Sequence, residues 1–289
     1  MGRTLAEYGA QVIKVTSPNL SDVPFFQVDG NTGKHTCDLD LKKSAGRKAF
    51  EELLQTADVI LDGYRPGSLE RLGYGPEQVV ELLKGRGKGI VYVGEDCFGY
   101  NGEWAGRPGW QQIADCVTGV AWAQGEFMGL DEPVVPPFPM SDYGTGTMGA
   151  IAALTGLFKR AKEGGSWVGR TSLCQYDVFL LQLGLYREDV QEEVRRDHDE
   201  EFFSLRHADS VDEVGGRALK SMRRAHPELF DERNMQKAWS KGFGEEIMWC
   251  RSPVTIEGLR VGFERASRPN GFDAPTWDDW EVEKAIIGD

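Results

Sequence analysis

Asp142 stands apart among the carboxylates of this chain because of the residues around it. It follows a proline-rich segment (Pro136, Pro137, Pro139) and precedes a run of small residues, Gly144, Thr145, Gly146 and Thr147. An apolar helical stretch, a Gly164-Gly165 turn and a strand come next. Small residues let another molecule approach the backbone closely. The first-turn N–H groups of a helix favour negative charge. Loop, acid, small residues and helix start together suit an aspartate nucleophile, with Gly144 and Gly146 as positions beside a substrate. A helix cap is the competing reading, since an Asp side chain readily accepts a bond from an orphan backbone N–H. At this point both readings stand.

Other chemistries find less support. His35, His198, His207 and His226 lie scattered in polar or charged surroundings and are expected at the surface. No Ser/His/Asp arrangement is visible. The five cysteines show no CxxC spacing, so free thiols in a reducing compartment are expected and no metal site is. The cytoplasm is the expected location, with the mitochondrial matrix or peroxisome as alternatives. Neither GxGxxG nor a P-loop pattern occurs. The net charge of −13 repels a phosphate backbone, so nucleic acid is not an expected partner. No apolar run reaches membrane-spanning length, and the start lacks a signal-peptide pattern.

Periodicity and punctuation supply the elements that must position Asp142. Strands are predicted over residues 11–16, 58–62, 89–95 and 166–173, with a short extended segment at 37–41. Residues 19–36 read as polar loop. Ser44 is expected to cap a helix over 45–56 that turns Phe50, Leu53 and Leu54 to one side. Residues 63–75 form a turn and a short helix, and Pro76 opens another. Further helices are expected over 111–123, 143–163 and 175–186. This alternation predicts an α/β fold, a Rossmann-like parallel sheet with flanking helices, whose ligands sit beyond the strand C-termini. Residues 3–9 already read as mid-helix, as if the chain opened inside a βα unit. The charge-dense stretch 188–213 predicts a solvated helix or linker. Residues 208–240 read as helical, and 254–263 as a hairpin about Glu257-Gly258. The chain from Arg268 reads as irregular.

Five ordered blocks carry a resemblance. LAEYGAQVIKV, NTGKHTCDLDL, ADVILDGYRPGSLERLGYG, GIVYVGEDCFGYNGEWAGRPGWQQIADCVTG and the Asp142 helix with GGSWVGRTSLCQYDV resemble the family III CoA-transferases of the CaiB/BaiF type. The likeness covers about residues 3–187 and recurs at 250–263. It implies a large domain over 1–187, a reduced, charged helical small domain or linker over 188–250, and a return to the large domain over 251–289. It also implies an interlaced homodimer, or the fused half of a tandem protein.

The resemblance further implies acyl-CoA and a small carboxylic acid as partners, with coenzyme A as substrate and no permanently bound cofactor. Asp142 aligns with the nucleophile that carries the acyl group and then CoA. CoA contacts carry over to Leu39, Gly63, Tyr64, Arg71 and Leu72, with Tyr64 near the adenine and Arg71 at a phosphate. Lys14 and Arg65 are secondary candidates. Trp110 and Gln111, with Gly144 and Gly146, fall on the expected substrate loop. Racemase relatives carry a catalytic His where this chain has Trp110, which disfavours proton exchange at an α-carbon. A racemase- or lyase-like enzyme and a non-catalytic CoA-binding relative are the alternatives.

Overall fold

A computed structural model describes residues 1–278 and 280. Helix α1 (Gly2–Glu7) leads into β1 (Ile13–Thr16), α2 (Pro24–Gly30) and β2 (His35–Asp38). Strands β1 and β2 pair in parallel, Ile13 opposite His35 and Thr16 opposite Asp38. The predicted loop over 19–36 therefore contains a helix. Pro24 sits in its first turn, where a missing N–H costs nothing. Helix α3 (Ser44–Thr56) buries Phe50, Leu53 and Leu54 as expected. Ser44 is its first residue and not its cap: the cap position is Lys43, with no side-chain bond.

Strand β3 (Val59–Asp62), the one-turn α4 (Ser68–Arg71), α5 (Pro76–Leu83) and β4 (Val91–Asp96) follow. The expected helix over 111–123 is two helices, α6 (Gln111–Thr118) and α7 (Val120–Phe127). Gly119 breaks it with φ of 94°, a left-handed conformation that costs glycine little. Helix α8 (Met140–Glu163), β5 (Trp167–Ser172) and α9 (Leu173–Leu183) complete the βα alternation. Strands β3, β4 and β5 form one parallel sheet with β4 in the centre.

The packing explains the apolar run in β4. Ile90 and Tyr92 face a core made with Phe50, Leu54, Val79 and Leu83. Val91 and Val93 face the other way, onto Ala150 and Ala153 of α8. A central strand buried on both faces reads as continuous hydrophobicity, not as alternation. Helix α8 comes close to the sheet because its inner face is small. A Cβ added at Gly156 would lie 2.5 Å from Val91 Cγ1.

At the N-terminal ends of these strands, Arg86 ties three segments together. Its guanidinium donates to the carbonyls of Leu54 (2.8 Å), Ala57 (2.6 Å), Lys88 (3.0 Å) and Gly89 (2.8 Å).

Beyond α9 come α10 (Glu188–Asp197), α11 (Glu200–Phe203) and α12 (Val211–Ala225). The charged stretch is helical, as read. Phe202, Leu205, Val214 and Ala218 bury against Met128 and Val134, which fixes these helices to the end of α7. The expectation of helix through residue 240 fails after α12. Pro227 and two short 3₁₀ turns lead into β6 (Met235–Ser240), which pairs antiparallel with β7 (Glu245–Cys250). Ala238 and Ser240 point inward while Lys237 and Trp239 point out, the period-two pattern of a half-buried strand. The expected hairpin over 254–263 reduces to an isolated bridge between Ile256 and Leu259: Val254, Ile256 and Leu259 stay exposed, and only Phe263 at its end is buried in a core. The tail after Arg268 is irregular and crosses back over the first elements. Asn31 Nδ2 donates to the Arg268 carbonyl (2.8 Å), Thr36 Oγ1 to that of Pro269 (2.6 Å), and Trp277 Nε1 to that of Leu53 (3.2 Å). The rest of the 251–289 segment, Asp279 and residues 281–289, lies outside the described residues. No helix among the described residues is long and apolar enough to cross a membrane.

Candidate active site

Asp142 lies in the first turn of α8, three positions after the cap residue Pro139. Its carboxylate caps nothing. It makes no hydrogen bond or ion pair among the described residues, so the capping reading falls away. Both neighbours are anchored instead. Ser141 is fully buried and its hydroxyl donates to Asp115 Oδ1 at 3.1 Å. The Tyr143 hydroxyl donates to Asp29 at the end of α2, and Arg3 of α1 completes that contact with an ion pair to Asp29 at 3.0 Å. An unbonded carboxylate between two fixed neighbours is held in place yet free to react. The surface reaches solvent at Asp142, but protein mass surrounds it on most sides. That desolvation, with the charges of Glu95 and Asp115, pushes its pKa up to about 6.

Glu95, next to last in β4, is close enough for its charge to act on Asp142, and it also lines a cavity of about 320 Å³ at the C-terminal ends of β3 and β4 and over the middle of β5. Tyr64, Pro66, Gly67, Tyr100 and Arg170 line it together with Glu95. This is the side of a parallel sheet where ligands bind.

The residues carried over for CoA divide into two groups. Gly63, Tyr64 and Arg71 are exposed along the turn after β3. The Tyr64 backbone N–H donates to Asp62 Oδ1 at 3.1 Å, which orients the turn. Arg71 donates to the Ser68 hydroxyl at 3.1 Å and lies over Gly67, so close that a Cβ there would sit 3.0 Å from its Nη1. It forms no ion pair among the described residues, which leaves a cation available at the mouth of the cavity. Leu39 and Leu72 instead direct their side chains to the core under this turn.

The substrate-loop residues divide similarly. Trp110 is 68% exposed at the start of α6. Gln111 is buried, and its amide donates to Asp115 Oδ2 (3.0 Å) and to the Phe138 carbonyl (3.2 Å). It therefore braces the loop before Asp142. The side of Gly144 where a Cβ would project is filled by the Tyr176 ring, 2.0 Å away. At Gly146 the corresponding neighbour is the backbone nitrogen of Met1, at 2.7 Å. Among the secondary candidates, Lys14 pairs with Asp22 at 3.2 Å and Arg65 is exposed. Of the histidines, His35 is buried against Trp280 and not at the surface, because β2 lies beneath the returning tail.

Three groups around Asp142 escaped the sequence reading. Glu95 follows an apolar strand as any strand-end acid might. Asp115 lies four residues after Gln111, a helical spacing that puts both on one face and was available as a signal. Asp177, on α9, reaches the same place only through tertiary packing.

The model of CoA-transferase family III matches residues 1–207. Acetyl-coenzyme A transferase nodX of Hypoxylon pulicicidum is 36% identical over 291 residues, covering 99% of this chain and 49% of that protein. An acyl-CoA transferase of Gibberella moniliformis is 42% identical over 198 residues, covering 67% of this chain and 35% of its own length. A formyl-CoA:oxalate CoA-transferase of Bradyrhizobium sp. is 30% identical over 214 residues, 67% of this chain and 46% of that one. The chain thus spans about half the length, or less, of these relatives. Among solved structures, Rv3272 of Mycobacterium tuberculosis superposes with a TM-score of 0.67 over 93% of this chain and 91% of that chain, at 19% identity. A CaiB/BaiF family protein of Brucella suis gives 0.63 over 93% and 91%, at 17% identity. At those identities the structural likeness speaks for the fold alone. With the family model covering well over half of its length, this chain belongs to CoA-transferase family III.

Proposed function

We propose that this chain moves CoA from an acyl-CoA thioester to a small carboxylic acid, with Asp142 as the covalent carrier. The observation that carries the reading is the unbonded Asp142 carboxylate, set between anchored neighbours, with Glu95, whose charge reaches it, lining the cavity at the strand ends. An Asp142 oxygen attacks the thioester carbonyl, the C–S bond breaks, and CoA leaves as thiolate. The product is a mixed anhydride between donor acyl group and Asp142. The thiolate then attacks the Asp142 carbonyl carbon, releasing the donor acid and leaving an aspartyl–CoA thioester. Acceptor carboxylate displaces the thiolate in turn and forms its own anhydride with Asp142. Thiolate attack on the acceptor acyl carbon ends the cycle with acyl-CoA and a free Asp142 carboxylate. Each step replaces one difficult exchange by an easier one. The N-terminal amides of α8 offer donors for the oxyanions.

Tyr64 is assigned to the adenine and Arg71 to a phosphate, with Gly63, Leu39 and Leu72 shaping the turn that holds them. The unpaired Arg71 supports this, because an acidic protein needs local positive charge for a polyanion. Trp110 cannot shuttle a proton, which favours transfer over racemisation. The exposed apolar outer faces of α8 and α9 support pairing with a second copy or with the other half of a tandem protein.

Trapping tests the assignment. The chain is incubated with acyl-CoA and hydroxylamine, and the peptide holding Asp142 is examined by mass spectrometry. A hydroxamate at Asp142, absent from Asp142→Ala, is expected. Turnover without any Asp142 adduct would remove this residue from the mechanism.

A further inference from the structure

Two carboxylic acids meet beneath the α8 start, and neither is reached by solvent. Asp115 of α6 and Asp177 of α9 are each 0% exposed. They face each other where α6 packs on α9: Thr118, three residues after Asp115, lies 3.2 Å from Asp177 Oδ2, and each acid acts on the other's ionisation. Asp115 has two donors, the Gln111 amide on Oδ2 and the Ser141 hydroxyl on Oδ1. Asp177 is poorly served. Its Oδ1 has no partner. Its Oδ2 lies 3.2 Å from Thr118 Oγ1, but that hydroxyl has one proton and sits nearer the Ala114 carbonyl, at 2.7 Å. The ionisable groups whose fields reach the pair are Cys97 after β4, Cys116 on α6, Cys174 on α9 and Asp142 on α8. None is cationic. Two like charges cannot both be kept in such a place.

We infer that Asp115 and Asp177 share one proton, and that this pair is a positioning device for Asp142. The inference takes its functional meaning from the proposal that Asp142 is the nucleophile. Asp115 is the ionised member, because it has the donors. Asp177 is the neutral acid, and its proton lies toward Asp115 or Thr118. Burial, and then the charge of Asp115, hold the Asp177 carboxyl above the ordinary carboxylate range. The ionised member grips Ser141, the residue before Asp142. Through Gln111 it also grips Phe138 in the proline loop. Loss of the shared proton places a second negative charge under this grip and spreads the helix junction. Asp142 is then displaced without any change in the groups assigned to CoA.

Two measurements test the pair, and one does not depend on activity. Infrared spectra of the whole chain with isotope-labelled aspartate are recorded in mildly acidic buffer, in the Asp142→Asn background so that Asp142 contributes nothing. A buried protonated-carboxyl band that disappears in Asp177→Asn is expected. Its absence, or its survival in that variant, overturns the shared proton. The second measurement is the rate of hydroxylamine trapping at Asp142. Asp115→Asn should slow trapping on the order of tenfold or more, the scale of a misplaced reacting group, with CoA affinity held. Asp177→Asn, which keeps a donor, should lose less than Asp177→Ala and should lack the decline of the parent at alkaline pH. Equal losses in the two Asp177 variants, or a persisting decline, overturn the positioning role. If the parent chain shows turnover but no adduct, the Asp142 assignment fails while the infrared result still decides the pair.

Discussion

At the scale of the residue, the proposed chemistry depends on the protonation of one side chain. The ordinary Asp value is 3.8, and Asp142 stands at about 6. The proposed attack needs the carboxylate, so acylation should rise as pH climbs through about 6, ahead of the alkaline decline expected when the Asp115–Asp177 pair loses its proton. Stability moves the other way. The folded state binds a proton that the unfolded state has already released between pH 3.8 and about 6, so unfolding becomes easier as pH rises across that window. Asp142→Asn should abolish the acylation profile and flatten that part of the stability profile, read by single-turnover trapping and by denaturant titration. A rate independent of pH across this window would mean that another group limits the step. The place of Asp142 at the start of α8 was legible in the sequence because prolines, an acid and small residues marked a loop meeting a helix. Its partners were not. Asp177 is an unremarkable acid in an apolar helix until α6 and α9 are brought together.

At the scale of the element, the small inner face of α8 sets how near the helix that carries Asp142 lies to the sheet. Val91 is fully buried, and a methyl group at Gly156 would meet it at 2.5 Å. Gly156→Ala should therefore lower stability by about 1–3 kcal/mol, the usual cost of overpacking, measured by urea unfolding. Coupling with Val91→Ala in a double-mutant cycle would locate the clash, and simple additivity would place the cost elsewhere. The βα elements were readable because their signals are local: apolar runs for β3, β4 and β5, Pro76 opening α5, and facing apolar positions in α3. Helix α2 was missed because it is only seven residues long and its apolar residues, Phe25, Phe26 and Val28, are exposed and set no core-facing period. Strands β6 and β7 were missed for a related reason. Their polarity alternates within a charged stretch, and pairing between them is what makes them strands.

At the scale of the whole molecule, apolar side chains face outward on two adjoining helices. Ile151, Leu154 and Phe158 of α8 are each more than half exposed, and Leu183 at the end of α9 is 69% exposed. Exposed apolar side chains of this size are the kind that association would cover, which motivates a test. Light scattering should give the chain a mass above its 32.2 kDa, and Phe158→Glu with Leu183→Glu should return it to the monomer. A monodisperse monomer for the parent chain would remove the second copy as occupant and leave the other half of a longer protein. The family's blocks were legible because they lie in order along the large unit. The arrangement after residue 187 was not, because its charged helices are defined by the patch of α7 they cover.

The guanidinium of Arg86 has a consequence of its own. It stitches the close of α3 to the approaches of β3 and β4, and shares only the Gly89 carbonyl with a second donor, Arg160. Lysine would preserve the charge but not the fork, since an ammonium lacks the planar spread needed to reach them all at once. The sheet is thereby pinned at the end opposite the cavity, so a replacement of Arg86 would loosen the strands from the side away from the proposed ligand site.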